Sequence, residues 1–266
     1  MTDTQVCPDC MQAMPIDFRY CGQCGSGLVG GLGSGHWMLR LLDAAGAIER
    51  TFPLLPGPQV IGRDESADII ITGDPTLSPR HVLVRMADEE VSIEDQQTRN
   101  GLFRPLSTPE PLEHNDLIRA GQQLFRFQRL ERLGVEPLVP SPYPSFGPHG
   151  DVWGRLLRYN RHGIVTAARL MTGPSFAVGR THGDFVLSRA RALSGTHFQI
   201  TRDPEGQTIL DDLGSRNGTF VTQVGAMMID NGARFLIGER AIRFDLVSQH
   251  EFHSEIADLT GAIEEA

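Results

Sequence analysis

Most of the chain consists of short apolar or alternating segments separated by turn-forming residues. Runs such as Val91-Ser-Ile-Glu94 and Leu124-Phe-Arg-Phe127 alternate apolar and polar side chains, which is the period of a strand with one buried face. Gly, Asp, Asn and Pro interrupt these runs and indicate turns. The pattern predicts an all-β protein built as β-sandwiches. Further predicted strands cover residues 37–42, 67–71, 81–85, 154–157, 185–187, 197–201, 208–210 and 241–244.

A set of polar motifs occurs twice along the chain. The offset between the copies is 117 residues at the Gly-Arg and Asn-Gly pairs and 116 residues at the serine and histidine. A period this long predicts a duplicated globular domain rather than a solenoid of small units. The first copy has Gly62-Arg63, Ser78-Pro-Arg-His81 and Thr98-Arg-Asn100-Gly101, and the second has Gly179-Arg180, Ser194-Gly-Thr-His197 and Ser215-Arg-Asn217-Gly218-Thr219.

The length of 266 residues suits two sandwiches of roughly 100 residues each plus smaller segments. A glycine-rich stretch before the first copy and a proline-rich stretch between the copies mark the boundaries, and the prolines predict a semi-stiff spacer that holds the two domains apart. An SH3-type ligand is the alternative for the proline run. The predicted division begins with a segment that has two C-x-x-C hooks, as in a zinc ribbon (1–26). A Gly-rich linker (27–36), a first sandwich (37–131), a Pro-rich linker (132–151), a second sandwich (152–248) and an acidic tail (249–266) follow.

The order Gly-Arg, then Ser-x-x-His, then Ser/Thr-Arg-Asn-Gly resembles the forkhead-associated (FHA) domain, a β-sandwich that binds phosphothreonine. The resemblance covers about residues 37–130 and 152–248. It depends on three motifs at the right spacing, since each motif alone would be weak. The resemblance implies two FHA-type sandwiches in tandem, each with a phosphothreonine site.

Two arginines are the first candidates for phosphate contacts. Arg63 and Arg180 each follow a glycine, and a guanidinium offers a planar fork of donors that matches phosphate oxygens better than an ammonium does. Arg99 and Arg216, beside the asparagines, and Arg80 in the first serine motif could add positive charge. An arginine exposed to solvent or in a surface salt bridge is the alternative for any one of these positions.

The resemblance assigns roles to the remaining motif residues. Ser78 and Ser194 contact the same phosphate as the arginine, while Asn100 and Asn217 grip the main chain of the ligand, which suits a side chain with both a donor and an acceptor. The histidines brace the binding loop. The predicted structural residues are Gly62, His81 and Gly101 in the first copy and Gly179, His197, Gly218 and Thr219 in the second.

The serine three residues before each histidine could suggest nucleophilic catalysis. That reading is rejected because the spacing does not align a Ser-His pair by itself and no motif places an acidic partner beside it. We therefore expect no enzyme activity.

The two copies differ in ways that bear on the sites. The first copy has Leu102 where the second has Thr219. Pro79 and Gly195 follow the key serines, at a position where the family often has arginine or asparagine, so a side-chain contact is lost in each. We still expect two competent sites.

All four cysteines lie at the start of the chain, as Cys7-Pro-Asp-Cys10 and Cys21-Gly-Gln-Cys24. Two C-x-x-C hooks predict one structural zinc ion with four thiolate ligands, which leaves no open position for catalysis. The pattern resembles the short zinc ribbon found at the N-terminus of many bacterial proteins. A disulfide pair or a thioredoxin-like redox site is the alternative.

The C-terminal stretch has apolar residues at helical spacing, namely Phe252, Ile256, Leu259 and Ile263. This predicts a short amphipathic helix. The helix could pack on its own domain or mediate self-association, but fewer than three heptads do not establish a coiled coil.

The formal net charge of −9 and the pI near 5.4 give no general attraction for nucleic acid or an anionic membrane. Arg19 is the single basic residue among the cysteine hooks, which argues against a nucleic-acid-binding ribbon. No apolar stretch approaches the roughly 18 residues of a membrane span, and the N-terminus lacks a signal-peptide pattern. We expect a cytoplasmic protein.

The sequence thus predicts a non-catalytic signalling adaptor that binds phosphothreonine-containing partners downstream of a Ser/Thr kinase. Two sites on one chain could engage a doubly phosphorylated partner or bring two partners together. The alternative is a structural scaffold that binds partners independently of phosphate, through its sandwich faces or its tail.

Overall fold

The structure is a computed structural model that describes residues 4–7, 12–15, 23, 35–43, 45–87, 90–130, 152–249 and 251–254. Within these ranges the chain is almost entirely strand, turn and loop, as predicted, and its α-helical residues follow position 248. A short hairpin of β1 (Thr4–Val6) and β2 (Ala13–Pro15) precedes the two copies.

The first copy contributes ten strands and the second copy another ten. The first set is β3 (His36–Leu42), β4 (Ile48–Pro53), β5 (Gly57–Gly62), β6 (Ile69–Ile70), β7 (Val82–Ala87), β8 (Glu90–Asp95), β9 (Leu102–Pro105), β10 (Glu110–Pro111), β11 (Leu117–Ala120) and β12 (Gln123–Arg129). The second is β13 (Val152–Tyr159), β14 (Val165–Thr172), β15 (Ser175–Gly179), β16 (Phe185–Val186), β17 (Phe198–Arg202), β18 (Thr208–Asp212), β19 (Thr219–Thr222), β20 (Met227–Met228), β21 (Arg234–Ile237) and β22 (Arg240–Val247).

Three sheets hold these strands. Two five-stranded sheets have the orders β20-β8-β7-β5-β6 and β10-β18-β17-β15-β16, and a ten-stranded sheet has the order β14-β13-β12-β11-β19-β9-β21-β22-β3-β4. Each five-stranded sheet packs on one half of the ten-stranded sheet, which gives two hydrophobic cores. The architecture is therefore two sandwiches that share one sheet.

The two copies exchange their C-terminal strands. β22 of the second copy pairs with β3 of the first, and β12 of the first copy pairs with β13 of the second. The cores follow the same pattern, because Phe235 and Phe244 lie in the core of the first sandwich while Phe125 and Phe127 lie in the core of the second. The first sandwich thus combines residues 36–103 with 227–247, and the second combines 110–129 with 152–222.

This arrangement differs from the predicted division, in which residues 37–131 and 152–248 each close a sandwich of their own. The reason is that the two copies repeat the same apolar pattern, so a strand from either copy fills either core. The predicted spacing of the domains is also wrong. β12 and β13 are antiparallel neighbours, with Arg129 opposite Gly154, so the two sandwiches meet directly at this pair of strands. Residues 131–151 lie outside the described residues.

A pseudo-twofold axis relates the two sandwiches. At the centre of the large sheet, β9 pairs with β19 so that Arg104 faces Val221, its equivalent at the 117-residue offset. Leu102 lies in the first core and Val221 in the second. Since side chains alternate along a strand and opposed residues share a face, both cores lie on the same face of the large sheet.

The C-terminal tail begins as the predicted helix. The Ser248 hydroxyl and amide both donate to the Glu251 carboxylate, and the Glu251 amide donates back to the Ser248 hydroxyl oxygen at 3.3 Å, a reciprocal N-cap. Phe252 stacks on His36 of β3, with ring centroids 4.2 Å apart. The start of the tail therefore packs on the first strand of the first copy, beside β22, while Ile256, Leu259 and Ile263 lie outside the described residues.

The first cysteine hook begins at the turn of the β1–β2 hairpin. Cys7 is buried, and its amide donates to the Gln12 carbonyl oxygen at 2.8 Å. Cys10, Cys21 and Cys24 lie outside the described residues, so the zinc ribbon stays a prediction.

Candidate functional site

The motif residues of the first copy meet where three loops of the first sandwich come together. The Arg63 amide donates to the Ser78 carbonyl oxygen at 3.1 Å, which joins the loop after β5 to the loop before β7. The Asn100 side-chain amide, in the loop after β8, donates to the Thr76 carbonyl oxygen at 2.5 Å. These bonds bring together Arg63, Ser78 and Asn100, which we call the first site.

The same arrangement recurs in the second sandwich. The Arg180 amide donates to the Ser194 carbonyl oxygen at 2.8 Å, and the Asn217 side-chain amide donates to the Ala192 carbonyl oxygen at 2.8 Å. The Ser194 hydroxyl oxygen accepts from the Arg216 amide at 3.0 Å, which leaves the hydroxyl proton available as a donor. Arg180, Ser194 and Asn217 form the second site.

The glycines before the arginines are required by close approach. A Cβ atom at Gly62 would lie 1.7 Å from the Pro79 carbonyl oxygen, and one at Gly179 would lie 2.2 Å from the Gly195 carbonyl oxygen. Gly101 and Gly218, by contrast, have φ of 73° and 74°, a conformation that favours glycine. The Gly-Arg motif therefore lets two loops touch, whereas the Asn-Gly motif makes a turn.

Each buried histidine bridges two loops through both ring nitrogens. The Ser78 amide donates to His81 Nδ1 at 2.9 Å, and His81 Nε2 lies 3.1 Å from the Gly101 carbonyl oxygen. His197 makes the equivalent contacts with the Ser194 amide and the Gly218 carbonyl oxygen, at 3.0 and 3.2 Å. An Nδ1 that accepts and an Nε2 that faces a carbonyl define the neutral Nε2–H tautomer.

Burial lowers the pKa of both histidines. For His81 the bond to Gly101 and the charges of Asp95 and Asp74 oppose this effect, and for His197 the bond to Gly218 and the charge of Asp212 do so. The net lowering favours the neutral ring that the hydrogen bonds need. The bracing role implied by the family resemblance agrees with this geometry.

Arg63 and Arg180 are exposed to solvent. Within the described part of the chain, neither guanidinium donates a hydrogen bond to another residue. Their main-chain atoms are held in place while their charged groups remain available to an anion.

The other three predicted arginines behave differently from one another. Arg80 Nη1 donates to the Ser66 carbonyl oxygen at 2.5 Å and so braces the loop that carries Arg63. Arg99 does not join the first site, because its Nη2 donates to the His162 carbonyl oxygen of the β13–β14 turn at 2.9 Å. Arg216 is exposed, and its amide contacts the second site through Ser194.

Sequence reasoning assigned no role to two aspartates that organise the asparagine loops. Asp95 accepts from the Thr98 hydroxyl at 2.6 Å, and Asp212 accepts from the Ser215 and Thr219 hydroxyls at 2.7 and 2.5 Å. Burial acts to raise the pKa of Asp212, but the bonds from Thr219 and Ser215 outweigh it, so the pKa is lowered. An aspartate three residues before Ser or Thr in a turn is the signal that could have revealed them.

The FHA domain family model matches residues 59–121 and 176–238. Each match includes one Gly-Arg, one Ser-x-x-His and one Asn-Gly motif. One segment in each copy is therefore similar to the FHA domain. Each matched segment also runs through the point at which the strands exchange, so the FHA sequence pattern is continuous where the fold passes from one sandwich to the other.

The search of solved structures gave matches, all three described here with TM-scores below 0.5. The FHA domain of the CT664 protein from Chlamydia trachomatis is 26% identical, with 34% of this chain and 92% of that one covered and a TM-score of 0.23. Mycobacterium tuberculosis EmbR in complex with a low affinity phosphopeptide is 23% identical, with 42% and 27% covered and a TM-score of 0.24. A structure from work on phosphothreonine-dependent FHA domain interactions is 12% identical, with 80% and 98% covered and a TM-score of 0.31.

The search of curated proteins gave no match. In the described part of the chain, no helix has the length and hydropathy needed to cross a membrane.

Proposed function

We propose that this protein is a non-catalytic adaptor that binds phosphothreonine-containing partners through both of its FHA domains. FHA domains are phosphothreonine-binding modules rather than enzymes. The observation that carries the proposal is the presence, in each sandwich, of an exposed arginine fixed by its main chain to the serine loop and placed near an asparagine.

Each group suits one part of the ligand. A phosphothreonine carries nearly two negative charges and three acceptor oxygens at neutral pH, which Arg63 or Arg180 would bind as a charged fork of donors. The Ser78 or Ser194 hydroxyl would donate to the same phosphate. Asn100 and Asn217 each donate one side-chain N–H to the loop that carries the key serine, and their second N–H and amide oxygen would hold the main chain of the ligand.

The histidine contacts support the absence of catalysis at these sites. A general base needs an accepting nitrogen within reach of the nucleophile. In His81 and His197 that nitrogen, Nδ1, already accepts from the amide of Ser78 or Ser194, and Nε2 faces a carbonyl oxygen. Neither ring nitrogen is left to activate a serine hydroxyl.

Two such sites imply that the binding partners of the protein are a Ser/Thr kinase and its substrates in the cytoplasm. A partner phosphorylated at two threonines would bind with a raised effective concentration once one site is filled. The C-terminal helix is a candidate for self-association.

At the N-terminus, Cys7, Cys10, Cys21 and Cys24 would hold one structural zinc ion as four thiolates. Metal analysis of the purified protein tests this assignment, and the expected result is one zinc ion per chain.

The binding proposal is tested by titrating the protein with a phosphothreonine peptide and its unphosphorylated form. We expect the protein to bind the phosphopeptide and not the unphosphorylated form. Arg63→Ala should lose binding at the first site, Arg180→Ala should lose binding at the second site, and the double variant should lose both. Arg161→Ala, which removes an exposed arginine of the β13–β14 turn, is the matched control and should bind normally. Equal binding of the two peptides would instead support the phosphate-independent scaffold.

A further inference from the structure

The first site is supported by a turn that comes from the second copy. The β21–β22 turn contains Gly238 and Glu239, and the Glu239 amide donates to Asp74 Oδ2 at 2.6 Å. A Cβ atom at Gly238 would lie 2.5 Å from the same Asp74 oxygen and 2.8 Å from Thr76 Oγ1. The turn therefore touches the loop before Ser78 so closely that one cannot shift without the other.

A continuous set of hydrogen bonds leads from this turn to the binding asparagine. Asp74 is 5% exposed, and its carboxylate accepts from the Thr76 amide at 2.8 Å and the Thr76 hydroxyl at 2.5 Å. The Thr76 carbonyl oxygen in turn accepts from the Asn100 side-chain amide. The orientation of Asn100 thus depends on where the β21–β22 turn holds Asp74.

Arg119 fixes that turn from the second sandwich. It lies on β11, and its Nη1 donates to the Gly238 carbonyl oxygen, while its guanidinium lies 5.6 Å from the centre of the Phe103 ring. Burial lowers the pKa of Arg119, and the charges of Glu239 and Asp74 oppose that lowering. Both acidic groups of the supporting turn and loop therefore lie within the electrostatic reach of this one cation.

The segment that contains Arg119 also contacts the loop behind the second site. Two residues later, Gly121 begins the β11–β12 turn, and a Cβ atom there would lie 2.7 Å from the Ala192 carbonyl oxygen. That carbonyl oxygen accepts from the Asn217 side-chain amide. The same short segment thus contacts the supports of both binding asparagines.

The second site has no equivalent of this polar cluster. At the 117-residue offset, Arg119 corresponds to Leu236, and at the 116-residue offset Asp74 and Thr76 correspond to Ala190 and Ala192. The second copy therefore has leucine at the strand position that Arg119 occupies in the first copy. For this reason Arg119→Leu is chosen as the test substitution.

We propose that Arg119 is a positioning residue for the first site and that it couples the first site to the second. It contacts no ligand itself. It holds the β21–β22 turn against the loop that orients Asn100, and any shift of the β11–β12 turn when the second site fills passes to the first site through it. The proposal rests on the proposed phosphothreonine function of the two sites.

The affinity test uses proteins in which one site is silenced. In the Arg180→Ala background, where the first site alone binds, Arg119→Leu should weaken the phosphothreonine peptide about fivefold, the lower end of typical coupling effects. In the Arg63→Ala background the same substitution should change binding by less than about twofold. Arg119→Lys, which keeps a cationic donor, should restore most of the first-site affinity. Equal weakening at both sites, or none at the first, overturns the proposal.

The coupling test follows backbone amide signals by NMR. Peptide added to Arg63→Ala can fill the second site alone, and the Thr76 and Glu239 amide signals of the first site should nevertheless shift. These shifts should disappear in Arg63→Ala/Arg119→Leu. Shifts that persist without Arg119 would overturn the coupling.

Two further measurements distinguish failure of the positioning role from misfolding of the variant and from failure of the proposed function. Thermal unfolding shows first whether Arg119→Leu is folded, and if it is not, Asp74→Asn, which keeps the side-chain shape, should give the same loss at the first site alone. If Arg180→Ala binds no phosphopeptide at all, the proposed function fails. The positioning role is then read from the ligand-free protein, where unchanged Thr76 amide and Asn100 side-chain signals in Arg119→Leu would contradict it.

Discussion

The two sites share the residues that would face a ligand but differ in what supports them. Arg63 and Arg180 follow glycines forced by close contacts, and both histidines bridge the same two loops. The first site is supported by a buried carboxylate, Asp74, and a cation, Arg119. The second has alanine and leucine at the corresponding positions, Ala190 and Leu236.

This difference shows that ligand-facing geometry and its support can be specified separately. Main-chain bonds and the histidine brace place the arginine and the serine in both copies, whichever side chains lie behind the loop. The support is then free to vary, and in the first site it connects to the other sandwich. Because the strands are exchanged, the turn that packs behind each site comes from the other copy.

The largest expected effect tests the exchange that joins the two sandwiches. A protease site is inserted between Pro140 and Ser141, and the chain is cleaved there. The two halves of the chain should stay together as one species in size-exclusion chromatography. Each half supplies strands and core phenylalanines to the other, and separating them would expose both cores to water.

The control is the same cleaved protein in denaturant, where the halves should separate. Two stable species after cleavage under native conditions would mean that each copy closes its own sandwich, and the comparison of the two supports would then lose its basis.

Much of this structure follows from the sequence, but the exchange does not. Alternating runs such as Val91-Ser-Ile-Glu94 mark a strand because one face must be buried, and the spaced motifs mark the loops that meet at each site. The pairing of β22 with β3 rather than β13 leaves no such trace, since an apolar face is satisfied equally by either partner. The contact of Arg99 leaves no trace in the sequence for the same reason, because its acceptor, the His162 carbonyl oxygen, belongs to the other copy.

The next largest effect concerns the glycines before the arginines. Gly62→Ala should destabilise the protein by about 3 kcal/mol or more, because the added methyl group would overlap the Pro79 carbonyl oxygen and force two loops apart. Gly179→Ala should behave similarly at the second site. The measurement is the free energy of unfolding in urea, together with phosphopeptide affinity.

Gly195→Ala serves as the control, because the nearest atom to its added Cβ, Thr181 Oγ1, is 3.2 Å away and can adjust. A Gly62→Ala variant as stable as Gly195→Ala would show that the two loops do not approach as closely as the structure indicates.

A smaller effect distinguishes the asparagine loops. Thr219→Val removes a buried hydroxyl that donates to Asp212 at 2.5 Å, and should cost about 1–2 kcal/mol and weaken the second site. The first site should be unaffected, since Leu102 already occupies that position there. Thermal unfolding and peptide titration in the Arg63→Ala and Arg180→Ala backgrounds check this, and equal weakening at both sites would contradict it.

The smallest effect is a pH dependence that both sites share. His81 and His197 have pKa values lowered from the ordinary 6.5 by burial, and protonation of Nδ1 would remove the bond from the serine amide. The unfolded chain therefore takes up protons at a higher pH than the folded chain. The contribution of the two histidines to the free energy of unfolding should be fully present above about pH 6.5 and should fall as the pH drops below it.

Urea unfolding at about pH 7.5 and about pH 5.5 measures the difference in the free energy of unfolding. In His81→Gln/His197→Gln that difference should shrink, while His162→Gln, at an exposed turn, should retain it. An unchanged pH dependence in the double variant would show that the two braces do not set it, even though both rings lie between the loops they join.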